Sequence, residues 1–127
     1  MNSKEGLPVR LRRGETPEKI TEWRASAASG DVEAMLNIAT IAARTPEDAH
    51  EAEHWLRRAC EQGSLEAKHL LGVALIKKGD LGEGERLLRG SADAGHVEAM
   101  YTLYHYYDSR GLRDEAQKVW DSIPDGK

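Results

Sequence analysis

Apolar residues along this chain recur at every third or fourth position, a spacing that predicts helices, and no segment is read as a strand. The clearest stripe is Ala52, Trp55, Leu56, Ala59 and Cys60, and Gly84, Leu87, Leu88, Ser91 and Ala92 echo it. A second pattern, Gly, any residue, Val or Leu, Glu, Ala, occurs at Gly30 to Ala34, Gly63 to Ala67 and Gly95 to Ala99, at intervals of 33 and 32 residues. Gly126 is a weaker fourth echo, 31 residues further on. Each motif opens a helix, because Ile38 and Ala42, Leu71 and Leu75, and Leu103 and Tyr107 follow at helical spacing. Each repeat is therefore a helix pair.

Start and stop signals agree with that reading. Thr16-Pro17 and Thr45-Pro46 each set a capping hydroxyl before a proline suited to a first helical turn, and Asp80 with Glu83 resembles a capping box. Gly30, Gly63, Gly79, Gly95 and Gly111 mark helix ends, where a residue without a β-carbon closes the helix cheaply. The resulting map places helices near 17–28, 31–43, 47–62, 65–78, 81–93, 97–109 and 112–122. Short connections make successive helices antiparallel, and a pair that cannot bury its apolar stripe alone must stack on the next. The expected class is all-α: an α-solenoid of about three repeats plus a partial N-terminal helix, occupying 17–127 behind a basic, flexible tail at 1–16. Ala34, Ala67, Ala99, Ala59, Cys60 and Ala92 would let helices approach closely while Trp55, Leu56, Leu71 and Leu88 fill the space between.

Composition narrows the class of function. The 127 residues are 39% hydrophobic and 31% charged, as in a soluble helical domain. Lys4, Arg10, Arg12 and Arg13 against Glu5 make the head +3, so the net −4 leaves −7 on the remainder, which argues against a nucleic-acid surface. The basic head itself reads as a tail rather than a nucleic-acid or lipid contact. No apolar run suits a signal peptide or a membrane span, and the single Cys60 fits a reducing compartment, so the expected location is cytoplasmic. Cys60 also stands where the repeat carries Ala, which points to packing rather than to a reactive thiol.

Residues 51 to 72, from Glu51-Ala52-Glu53-His54-Trp55-Leu56 through Gly63-Ser64-Leu65-Glu66-Ala67 to Gly72, resemble the Sel-one-like repeat, a branch of the tetratricopeptide superfamily. The likeness extends over roughly residues 20 to 123, with Trp23, Ala27 and Ala28 matching the second helix of a partial preceding unit. It departs in its shorter spacing, and in Tyr104 where the better repeat has Gly72. The resemblance implies a right-handed superhelix and a role as an adaptor that assembles other proteins. In such a solenoid the first helix of each pair lines a concave face. The groove candidates are then Leu36, Asn37, Thr40 and Arg44; His69, Leu70, Val73 and Lys77; and Tyr101, Thr102 and His105. Aliphatic and aromatic anchors among polar neighbours suit a partner peptide or protein. A register shift of one position would turn the same side chains into helix-to-helix packing. Tyr107 aligns with core Leu75, Tyr101 with Leu36 and His69, and Tyr104 and Tyr106 are undecided.

Two other readings stand beside this one. Trp120, on a last helix with no further repeat to cover it, would make a homo-oligomer through the C-terminal edge. His50-Glu51-Ala52-Glu53-His54 matches the zinc-hydrolase pattern in which two histidines one turn apart hold metal and the glutamate activates water. In the repeat register, however, both histidines lie opposite the packed stripe, and a five-residue match arises readily in a Glu-rich helix. Gly82-Glu83-Gly84 lacks the third glycine and the preceding strand of a dinucleotide site, and its acid groups would repel phosphate. The reading that follows is a non-catalytic scaffold that needs no cofactor or metal and binds neither nucleic acid nor membrane.

Overall fold

The computed structural model describes residues 11–124. Lys4, Glu5 and Arg10 of the basic head, and Gly126 of the fourth echo, lie outside the described residues. The helices are α1 (Pro17–Ala28), α2 (Val32–Ala42), α3 (Ala49–Glu61), α4 (Leu65–Lys78), α5 (Leu81–Asp93), α6 (Val97–Ser109) and α7 (Arg113–Ser122). A 3₁₀ turn, Pro46–Asp48, precedes α3, and the described residues contain no strand. No helix among them is long and apolar enough to cross a membrane.

The glycine stops act as the sequence predicts. All five have positive φ, from +77° at Gly111 to +105° at Gly30, a region in which a β-carbon would crowd the backbone. At each, the next residue's N–H reaches back five residues to a carbonyl, as Asp31 does to Ser26 at 3.0 Å and His96 to Ser91 at 3.1 Å, satisfying acceptors the helix end leaves open. The start signals are mixed. Thr16 accepts from the Lys19 N–H at 3.0 Å and Asp31 from the Glu33 N–H at 3.0 Å, as caps should. Thr45 instead donates its hydroxyl to Asp48 Oδ2 at 2.9 Å, because the proline-led turn there is 3₁₀ and α3 begins only at Ala49. Asp80 occupies the cap position of α5 without a side-chain cap bond.

The chain divides into two compact units between Ser64 and Leu65. In the first, α2 packs against both α1 and α3. Ala34, Met35, Leu36, Ile38, Ala39, Ile41 and Ala42 are all buried, so α2 is enclosed over most of its circumference. Across the unit, Arg24 of α1 forms a bidentate ion pair with Glu51 of α3, and the Gln62 amide donates to the Gly30 carbonyl at 3.2 Å. Residues 11–16 are tied in as well. The Arg12 N–H donates to Glu15 Oε1 at 2.7 Å, and Arg44 beyond α2 grips the same carboxylate through two bonds of 2.6 and 2.7 Å.

In the second unit each helix packs on the next, from α4 through α7. The antiparallel sense of α4 and α5 is fixed at both ends. Ser91, fully buried late in α5, donates to the carbonyl of Leu65 at the start of α4 at 2.8 Å, and Gly84, early in α5, meets Gly72 and Ile76 of α4. A β-carbon on Gly84 would come within 2.6 Å of Ile76 Cγ1 and 2.9 Å of the Gly72 carbonyl oxygen, so the two helices touch backbone to backbone here. Around that contact Leu88, Ala92, Ala99, Met100, Leu103, Tyr107 and Ala116 form the core. Tyr107, buried as its alignment with Leu75 predicts, donates its hydroxyl to Glu85 Oε2 at 2.7 Å, while Arg89 binds both groups. Burial first, then the Glu85 carboxylate, push the Tyr107 phenol up to about 12.

Candidate functional site

The sequence-derived groove residues of the first unit divide three ways. Thr40 is exposed and Asn37 half-buried, but Leu36 is only 8% exposed and belongs to the core. Its assignment to an open face is corrected. Helical periodicity defines one apolar stripe, whereas α2 is flanked by two helices and needs apolar groups on two sides. Arg44 is committed to Glu15 by the two bonds described above. Their mutual hydrogen bonding, with the Arg12 N–H adding to it, lowers the Glu15 carboxyl to about 2.

In the second unit two of the predicted residues, one on α4 and one on α6, meet. His69 Nε2 lies 2.9 Å from Thr102 Oγ1, joining two groove candidates directly. Leu70 and Val73 are half-buried, Val73 lying against the core of α5 and α6, while Lys77 and His105 are exposed. Tyr101 is 43% exposed, as its alignment outside the core stripe implied.

The aromatic groups are more ordered than sequence spacing could show. Trp120 of α7 is 50% exposed, yet one flank of its ring rests on α6. It meets Tyr104 at 5.1 Å and Tyr101, nearly edge-on, at 6.4 Å between centroids. Tyr104 in turn stands edge-on to His105 at 5.2 Å. The groove tyrosine and the edge tryptophan, two separate expectations from sequence, thus occupy one patch. Tyr104 is part of that patch. Tyr106 turns elsewhere, towards Tyr107 and beneath the Arg110 guanidinium.

His50 and His54 of the zinc-hydrolase match are both exposed. Between them Glu51, which would have to activate water, holds Arg24 and accepts from Trp55 Nε1 at 3.3 Å. Both carboxylate oxygens of Glu51 are thus engaged by Arg24, one of them also by the indole. Gly84 is likewise used in helix contact, not in a phosphate loop. An open depression lined by Ala25, Ser26, Ser29, Gly30 and Asp31 lies over the α1–α2 turn and has little enclosure for a small molecule.

Sequence reasoning missed His96 and Glu98. The imidazoles of His69 and His96 are 5.4 Å apart between centroids, and His96 Nε2 is 3.8 Å from Glu98 Oε1. His69 has its pKa lowered by burial first and by the neighbouring His96 second, with Glu98 opposing. Glu98 fills the Glu position of the repeat motif and His96 its variable position, so neither stands out; the available signal is a histidine in each of two neighbouring repeats. No family model matches the chain.

Proposed function

We propose that this chain is a non-catalytic adaptor of the Sel-one-like kind, a right-handed succession of helix-pair repeats that works in the cytoplasm and takes a partner peptide or protein segment on the exposed face of α6 and α7. The observation that carries the reading is the patch of Tyr101, Tyr104 and Trp120, two of whose rings are 43% and 50% exposed while held against one another on helices. Large exposed aromatics on rigid elements supply contact area at small entropic cost and dominate the energy of many interfaces. His105 beside Tyr104 adds a polar group that can orient a bound chain.

The test is selection of random peptides displayed on phage against the immobilised chain. Enriched peptides should share an apolar or aromatic anchor and lose binding at least about tenfold to a Tyr101→Ala, Trp120→Ala double variant, since each anchor is worth more than about 1 kcal/mol. Failure to enrich, or equal binding to the double variant, counts against the reading. The exposure of Trp120 on the last helix also favours a second reading, a homo-oligomer built through that edge.

A further inference from the structure

We propose that His69, His96 and Glu98 form a binding site for a divalent transition-metal ion of the zinc class. The site lies wholly in the second unit, with His69 on α4 and His96 and Glu98 at the start of α6. One ligand atom from each residue lies within 4.8 Å of the others. Metal–nitrogen and metal–oxygen bonds of about 2.0–2.2 Å bring tetrahedral ligands to roughly 3.3 Å apart, so the three ligand atoms must draw together on binding.

Three features set this cluster apart from a chance meeting of polar groups. First, His69 Nδ1 and His96 Nε2 are both buried from solvent and have no hydrogen-bond partner. A buried nitrogen without a partner is unfavourable, and a shared cation would satisfy both at once. Second, the other nitrogen of His69 is held: Nε2 meets Thr102 Oγ1 at 2.9 Å. A ring that donates its Nε2–H to Thr102 presents the lone pair of Nδ1, which is the arrangement that orients histidine ligands in metal proteins. Third, His96 sits at the N-cap of α6 yet makes no side-chain cap bond, whereas Asp31 at the matching place in the first motif caps its helix. Its imidazole is turned instead towards His69.

The ligand chemistry selects the ion. Two imidazoles and one carboxylate favour zinc, cobalt or nickel over magnesium or calcium, which prefer oxygen. Three protein ligands leave a fourth position for water or for a donor from a bound partner. Glu98, with its side chain 77% exposed, lies on the solvent side and can swing on to the ion without disturbing the core.

Five histidines occur in the chain, and the exposed His50 and His54 could chelate weakly on their own, so the test is made in the tag-free 127-residue chain carrying His50→Ala and His54→Ala. Cobalt(II) alone is titrated and followed by visible absorption, then displaced with zinc. The site predicts saturation at one equivalent, loss of the cobalt spectrum in His69→Gln and in His96→Gln, and affinity at least about tenfold lower in Glu98→Gln, whose exposed position leaves the fold intact. Absence of saturable binding in the His50→Ala, His54→Ala protein, or binding indifferent to Glu98→Gln and His69→Gln, overturns the proposal.

Discussion

Gly84 and Gly90 share one helix, α5, but differ in surroundings. An added methyl at Gly84 meets the Gly72 carbonyl and Ile76, whereas nothing lies within 4 Å of one at Gly90. Gly84→Ala gains helix propensity and yet should destabilise by about 1–3 kcal/mol, because the backbones of α4 and α5 must part. Gly90→Ala should stabilise by about 0.5–1 kcal/mol. Urea denaturation of the two variants checks both signs, and equal signs would contradict the close approach. The difference was only half legible in sequence. Gly84 falls on the apolar stripe at a small-residue position, but its partner Gly72 is known only from the three-dimensional contact. Leu36 shows the same limit from the other side: its spacing placed it outside the stripe, while the second neighbour of α2 buries it. Ser91→Ala should cost about 1 kcal/mol by the same measurement, since its hydroxyl fastens α5 to the Leu65 carbonyl.

Element ends were the most legible part of the chain because their causes are local. Glycine at positive φ and Thr16 before Pro17 act within a few residues, so predicted and observed boundaries agree closely for six helices, α5 among them although Asp80 makes no side-chain cap bond. The exception is the start of α3, where Thr45-Pro46 produced a 3₁₀ turn instead of the first α turn. The attachment of residues 11–16 was not legible, since Glu15 and Arg44 are far apart in sequence and Glu15 belongs to no repeat pattern. That attachment has a pH signature. The Glu15 carboxyl falls from 4.5 to about 2 on folding. Its contribution to stability is therefore full above pH 4.5 and is lost as pH falls towards 2, because the folded state then holds fewer protons than the unfolded state over that range. Glu15→Gln should lower stability near pH 7 by about 1 kcal/mol and narrow its gap to wild type as acid is added. A gap that stays constant from pH 7 to 2.5 would contradict the Glu15–Arg44 clasp.

For the whole molecule, repetition announced helix pairs and left the functional surface undefined. The zinc-hydrolase match was conspicuous because its residues are contiguous, yet its glutamate is used by Arg24. The His69, His96 and Glu98 cluster draws on two helices and went unseen. Tyr101 and Trp120 could each be singled out from sequence, but not their meeting across α6 and α7. The aromatic patch also separates the two functional readings. Sedimentation equilibrium should return the monomer mass at concentrations where a selected peptide binds; a mass that rises with concentration and reverts in Trp120→Ala would favour the oligomer. The most direct measurement is a titration of isotope-labelled chain with a selected peptide, followed by amide and indole chemical shifts. The adaptor account predicts the largest changes at Tyr101, Tyr104, His105 and the Trp120 indole N–H. Changes concentrated elsewhere, for example at the depression from Ala25 to Asp31, with that patch unmoved, would contradict it.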